Sequence, residues 1–407
     1  MAWEIELLIR NNFIHLQTKR IYKSMKQLIV KSFGPINQAE VNFGDLTLLV
    51  GPQASGKSIF LQLLKLLIDK YHIRKTVEQF NYVWKNEKDI LNLFFGEDMA
   101  DIWRHESEIS LDGKKYSKNF VLPKRGRTEG TEKAKSEEQL FYIPAQRILS
   151  IADGRPKNFM EFDTSAPYIL RYFSETLRLL LQNGMENKIY PINRLKDTLR
   201  KLFDDSIFHG GNIFLDERTG QKKFRMKVGE MDVPFITWSA GQKEFMPLLL
   251  AFYHLCPPSK VAKKDDYKYV VMEEPEMGLH PQAIKSVILQ VIDLLSRNYK
   301  VIISTHSPMF LEFAWAFNLL KNSKAKNKSL YELFDLTGTP QVRQLLDDIL
   351  STKTISTYYF SRANNQVVAK DMSSLDANSE DPDISEWGGI SSFASKANGI
   401  VSTYISD

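Results

Sequence analysis

Gly51-Pro52-Gln53-Ala54-Ser55-Gly56-Lys57-Ser58 is the stretch on which the reading of this chain turns. It fits G-x-x-x-x-G-K-[ST], and its setting is the one that motif requires. An apolar, extended run, Leu46-Thr47-Leu48-Leu49-Val50, precedes it. A helix follows in which Ile59, Phe60, Leu63, Leu64, Leu67 and Ile68 recur at helical spacing. Gly51 and Gly56 let the backbone curl around a phosphate, with Pro52, Gln53, Ala54 and Ser55 forming the wrap between them. The helix adds its positive N-terminal end. Lys57 would then reach the β- and γ-phosphates of a bound nucleotide, and the Ser58 hydroxyl would sit on Mg²⁺. By chance the bare pattern occurs in about one or two chains in a hundred of this length, before the strand and helix are counted.

Working outward, 407 residues suffice for two or three domains, or for one large domain with insertions. No apolar run approaches the ~20 residues that span a bilayer, and the N-terminus does not read as a signal peptide. A single cysteine, Cys256, leaves no intramolecular disulfide and no Cys-x-x-Cys metal hook. These features point to the cytoplasm. A net charge of +5 permits nucleic-acid contact without arguing for it.

The regular pattern begins at Met25, which leaves 1–24 as an extension. Two strands, Gln27–Lys31 and Ala39–Phe43, flank a Phe33-Gly34-Pro35 turn ahead of the phosphate loop. A hairpin is expected at Glu108–Leu111 and Lys114–Tyr116, with Asp112-Gly113 as its turn. The charged stretch 123–139 reads either as a DNA-contact loop or as a solvated linker, and 257–268 is a second charged loop. Leu140–Ile143 is a strand that ends in Pro144-Ala145-Gln146-Arg147. Helical patterns cover 166–181 and 192–203, and strands return from Asn212 to Thr237. Ser239-Ala240-Gly241-Gln242 then opens a helix that carries Phe245, Met246, Leu248, Leu249, Phe252 and Tyr253.

Tyr269-Val270-Val271-Met272 is an apolar strand ending in Glu273-Glu274-Pro275-Glu276. The helix 281–297 buries Ile284, Val287, Ile288, Val291, Ile292 and Leu295, and Lys300–Ser304 is the next strand, ending at Thr305-His306. Strand, helix and strand in this order make a βαβ unit, hence a parallel sheet. Paired carboxylates at a strand end are costly unless a metal is present.

Taken together, these motifs resemble the ABC-type ATPases of the SMC, Rad50, RecF and OLD group over about residues 25–310. The resemblance implies an α/β fold with a mixed, largely parallel central sheet, a β-rich N-terminal subdomain and an inserted helical lobe at about 160–255 carrying the signature motif. The ATPase domain would run over 25–328, with 329–407 as a C-terminal region. The resemblance also assigns roles. Glu273 and Ser58 would hold Mg²⁺ with the Q-loop glutamine Gln146, Glu274 would polarise the attacking water, and His306 would touch the γ-phosphate. Ser239, Gly241 and Gln242 would cap the nucleotide of a second copy. Glu273 stands where Asp is usual, Ala240 where Gly is usual, and His280 where many relatives carry Asp. No zinc hook or long coiled coil is present.

By layout the chain looks like the ATPase subunit of a two-component anti-phage system, of the PARIS or Septu type, with a separate, nuclease-like toxic effector as its partner. The alternative is a RecF-like repair ATPase that binds DNA in an ATP-dependent way. The acidic stretch from Asp371 to Glu386 reads either as a docking tail or as a loop and final helix packed on the ATPase.

Overall fold

A computed structural model describes residues 24–121, 137–256, 267–324, 330–336 and 340–405, apart from 186, 219, 365 and 391. The extension up to 23 and most of the two charged stretches, 122–136 and 257–266, lie outside the described residues.

The chain begins with β1 (Gln27–Phe33) and β2 (Ile36–Asn42), then β3 (Leu46–Val50) leads through the phosphate loop into α1 (Lys57–Gln79). After α2 (Glu87–Phe95), β4 (Trp103–Leu111) and β5 (Lys114–Tyr116) form the expected hairpin. Asp112 and Gly113 take φ of 50° and 79°, the left-handed pair that a tight hairpin turn needs. There follow β6 (Leu140–Ile143), a small ribbon of β7 (Ile151–Ala152) and β8 (Arg155–Pro156), and α3 (Tyr168–Gly184). Next come β9 (Lys188–Tyr190), α4 (Asp197–Phe203), β10 (Asn212–Asp216), β11 (Lys223–Val228) and β12 (Met231–Pro234). Then α5 (Ala240–Leu255), β13 (Tyr269–Glu273), α6 (Pro281–Ser296), β14 (Lys300–Ser304) and α7 (Pro308–Asn322) complete the motif-bearing part. The described C-terminal residues add α8 (Pro340–Thr352), β15 (Ile355–Ala363), β16 (Gln366–Asp371) and α9 (Ser392–Ile405).

One ten-stranded sheet, in the order β5-β4-β1-β2-β16-β15-β3-β14-β13-β6, organises the fold. From β15 to β6 every neighbouring pair is parallel, whereas β5, β4, β1 and β2 form an antiparallel wing. The parallel part is apolar on both faces, as crossover helices require. Leu46, Leu48 and Val50 of β3 face the core shared with α5, α6 and α7, while Leu49 faces the core that holds Phe60 of α1. This mixed α/β sheet is the fold class that the motifs implied.

One expectation needs correcting. The boundary at 328 does not separate two units, because β15 pairs with β3 and β16 with β2, filling the gap between the wing and the parallel strands. Phe360 of β15 packs edge-on against Phe60 of α1, with ring centroids 5.5 Å apart. The inserted lobe holds the strands expected between Asn212 and Thr237. Besides α3, α4 and α5 it holds an antiparallel sheet, β12-β11-β10-β9.

Candidate active site

The phosphate loop leaves β3 with Gly51 at φ 145°, where a Cβ would lie 2.6 Å from the Phe360 carbonyl oxygen. Only a glycine fits beside β15 there. Gly56, at φ 80°, ends the loop and opens α1 without a side-chain cap, so the first N–H groups of the helix have no side-chain partner there. Pro52, Gln53 and Ala54 are exposed at the tip, and Ser55 is buried. Lys57 folds back into the loop. Its Nζ donates to the Gly51 carbonyl (2.8 Å), the Pro52 carbonyl (2.9 Å) and the Ser55 hydroxyl (3.2 Å). Burial lowers its pKa to about 8, although Glu274, Glu273 and Glu276 pull the other way.

Glu273 ends β13, one strand removed from β3, with β14 between them. It is buried, and that burial raises its pKa, while Ser58, the Ala145 N–H and Tyr142 hold it down. Its Oε2 accepts from Ala145 N–H at 3.3 Å, and its Oε1 has no hydrogen-bond partner. Glu274 follows with φ 43°, an unfavourable left-handed backbone for a side chain of this size. Its N–H donates to the Ser304 carbonyl at 2.8 Å, and its Oε1 lies 3.4 Å from His306 Nε2. The hydrogen bond from His306 is the main reason that the Glu274 pKa falls below the usual carboxylate value. The structure therefore brings Lys57, Ser58, Glu273, Glu274 and His306 to one end of the parallel strands.

Gln146 lies exposed at the end of β6, and its neighbour Ala145 carries the backbone contact to Glu273. Ser239 caps α5. Its hydroxyl accepts from Gln242 N–H at 3.3 Å, and Gln242 Oε1 accepts from Ser239 N–H at 3.1 Å. Gln242 Nε2 donates onward to the Ile207 carbonyl at 3.1 Å. Its amide thus serves its own lobe here. Gly241 packs beside Gly278 of the same chain.

Two family models divide the chain. One, described as an AAA ATPase domain, matches residues 25–125, and another, an AAA domain associated with AbiEii-type toxin and type IV toxin–antitoxin systems, matches residues 190–312. The first covers the phosphate loop, and the second covers the signature segment, the Glu273-Glu274 pair and His306. Both stretches are thus similar to AAA-type ATPase domains. A curated relative, the Old nuclease of Escherichia phage P2, is 24% identical over 174 residues, which is 39% of this chain and 28% of the nuclease. Among solved structures, an SMC head bound to the C-terminal winged-helix domain of ScpA covers 85% of this chain and 97% of its own, at 11% identity and a TM-score of 0.42. An ATP-binding cassette dimer in a post-hydrolysis state with ADP and phosphate covers 84% and 98%, at 11% identity and a TM-score of 0.32.

Two residues of the ATPase site carry roles that its sequence did not disclose. Glu276 stood only as the third acid of the cluster. In the fold its Oε1 accepts from Thr305 Oγ1 (2.7 Å), His306 N–H (2.7 Å) and Ser307 N–H (3.2 Å), so it fixes the loop that presents His306. Arg147 stood only as a polar strand end. It is fully buried and donates to five carbonyls around the acidic cluster. The available signal was composition: four glutamates in one neighbourhood need a buried counter-charge.

The donor set of the ATPase fits a hard divalent cation such as Mg²⁺. Ser58 offers a hydroxyl, and Glu273 offers a buried carboxylate oxygen that lacks any partner. Among the described residues no cluster of three or more His, Cys, Asp or Glu forms a metal cage. Mg²⁺ bound together with a nucleotide's phosphates needs none.

Proposed function

We propose that this chain hydrolyses ATP in a two-copy sandwich and thereby controls a separate toxic effector in an anti-phage defence system. The observation that carries the chemistry is the contact between Glu274 and His306 next to Lys57. Lys57 would leave its loop carbonyls for the β- and γ-phosphates, and Ser58 with Glu273 would hold Mg²⁺, which offsets phosphate charge when bound. Glu274, kept ionised by His306, would accept a proton from the attacking water. His306 would then be placed to hydrogen-bond the γ-phosphate. The chain carries one phosphate loop and one signature segment, so Ser239 and Gly241, with the N-terminus of α5, would face the nucleotide held by a second copy. Gln146, exposed beside Ala145, would sense the metal.

The defence role draws on the toxin-associated family match and on the likeness to a phage nuclease. After α7, β15 and β16 add two strands to the sheet. The reading puts nuclease-like chemistry on a partner chain, as the likeness of layout to two-component defence ATPases implies.

Mixing tests the sandwich. Lys57→Ala and Ser239→Arg chains should each be inactive alone, and the mixture should regain hydrolysis, since a heterodimer keeps one composite site with both residues intact. Full activity of Ser239→Arg by itself would overturn the sandwich. In cells carrying the chain with its genomic neighbours, Lys57→Ala should abolish protection against phage. Protection that persists would sink the defence reading while leaving the ATPase untouched.

A further inference from the structure

Arg147 occupies a position that hydrolysis as described above does not use. Its guanidinium is buried, and burial lowers its pKa against the opposing pull of Glu244, Glu276, Glu274 and Glu273. Its ion pair with Glu244 is loose, with Oε2 at 4.0 Å. The donors instead go to backbone oxygens. Nε donates to the Glu244 carbonyl (3.2 Å), in the second turn of α5. One terminal nitrogen reaches the Glu273 (3.3 Å) and Glu274 (3.1 Å) carbonyls, and the other reaches Pro275 and Met277 (both 3.4 Å).

A guanidinium is the side chain suited to this task, because its fixed, planar fork serves acceptors in several directions at once. The acceptors lie on two segments remote from each other in sequence: the signature helix α5 and the turn that follows β13. A second contact joins the same two segments. A Cβ on Gly241 would lie 3.0 Å from the Gly278 carbonyl oxygen, and one on Gly278, itself at φ 74°, would lie 3.1 Å from Glu244 Cγ. Between them stands Glu274 in its left-handed conformation, held at its N–H by Ser304 and at its carbonyl by Arg147. Release of that carbonyl would let the backbone relax and carry the carboxylate away from His306.

We propose that Arg147 is a positioning residue that couples the seating of the signature helix to the presentation of Glu274. This inference rests on the ATPase reading above and adds a regulatory link. Engagement of the Ser239 end of α5 by a second copy's nucleotide shifts Glu244, and Arg147 passes that shift to the Glu274 turn.

The test is a double-mutant cycle. Arg147→Lys keeps the charge but not the fork. It should lower single-turnover hydrolysis on the order of 10²-fold, the effect of displacing a reacting group by about 1 Å, with ATP affinity nearly unchanged. In a Glu274→Gln background the same substitution should cost almost nothing further, because both act through one carboxylate. Costs that multiply, or a parallel loss of ATP binding and rate, would overturn the coupling and leave Arg147 as a structural cation. If Arg147→Lys does not fold, Gly278→Ala disturbs the same junction without removing the buried charge, and the same two outcomes apply. Full hydrolysis by Glu274→Gln alone would instead reject the assignment of the base, a failure separable from that of the coupling.

Discussion

Helix α1 buries two lysines, Lys57 at its start and Lys65 two turns on, and they are held in opposite ways. Lys65 Nζ donates to Asp69 (2.8 Å), Glu138 (2.5 Å) and the Leu140 carbonyl (2.6 Å). Burial pulls its pKa down, but the two carboxylates outweigh that and raise it. Asp69 also takes the N–H groups of Gln139 (2.9 Å) and Leu140 (3.0 Å), which ties a kink in α1 to the start of β6. Lys57 makes three bonds as well, all to neutral oxygens, and its pKa falls to about 8. One lysine has its counter-charge built in. The other is buried with its strongest interaction unmade. A charge whose partners are all present belongs to the scaffold, and a buried charge without its anion marks a place for one.

The largest expected effect separates the two outright. Lys57→Ala should eliminate ATP binding while thermal stability stays the same or rises slightly, since the lysine's bonds to loop carbonyls stabilise little and its burial costs something. Calorimetric titration and a melting curve on the same sample decide it. Normal ATP affinity in this variant would remove the phosphate-loop assignment.

Lys65→Met should show the reverse pattern. It leaves Asp69 and Glu138 buried without their cation, which costs about 3–5 kcal/mol, and the folded protein should still bind ATP. The expected readout is a lower denaturant midpoint at an unchanged slope. Loss of ATP affinity with no loss of stability would show that both lysines serve the nucleotide, and the contrast would fall.

The difference between these lysines was only half legible in the sequence. The motif named Lys57, and the strand and helix around it were plain from apolar patterning. The same patterning gave α1 a single buried face, whereas Leu61, Leu66, Lys65 and Asp69 are buried too, because β-strands and α3 enclose the helix more fully. Glu273, Glu274 and His306 were legible since each ends a strand of one βαβ unit. Arg147 and the clasp on Glu276 were not, because their partners are backbone atoms of remote segments, which leave no residue pattern. Nor was the place of β15 and β16 in the sheet. Their pairing spans some three hundred residues, from Leu46 to Ile355, and only the fold brings those strands together.

The smallest effect tests the comparison at the level of a single proton. With a pKa of about 8 in the nucleotide-free protein, Lys57 is about half protonated at pH 8. A bound triphosphate favours the charged form, so ATP binding at pH 8 should take up about half a proton from solvent, and almost none at pH 6.5, where the lysine is already charged. The uptake is measured by calorimetry in buffers of different ionisation enthalpy, near and above pH 8 where free nucleotide carries no titrating proton. The same shift has a signed consequence for stability. The folded pKa lies below the ordinary lysine value of 10.5, so between about pH 8 and 10.5 the unfolded chain binds more protons. The nucleotide-free protein should therefore gain stability from Lys57 as pH rises through that window, and saturating ATP should cancel the gain. Lys57→Arg keeps its charge throughout and should show neither effect. Zero proton uptake by the natural protein at pH 8.5 would mean that Lys57 is fully charged before ATP arrives, as Lys65 is, and the two lysines would then differ in partner but not in state.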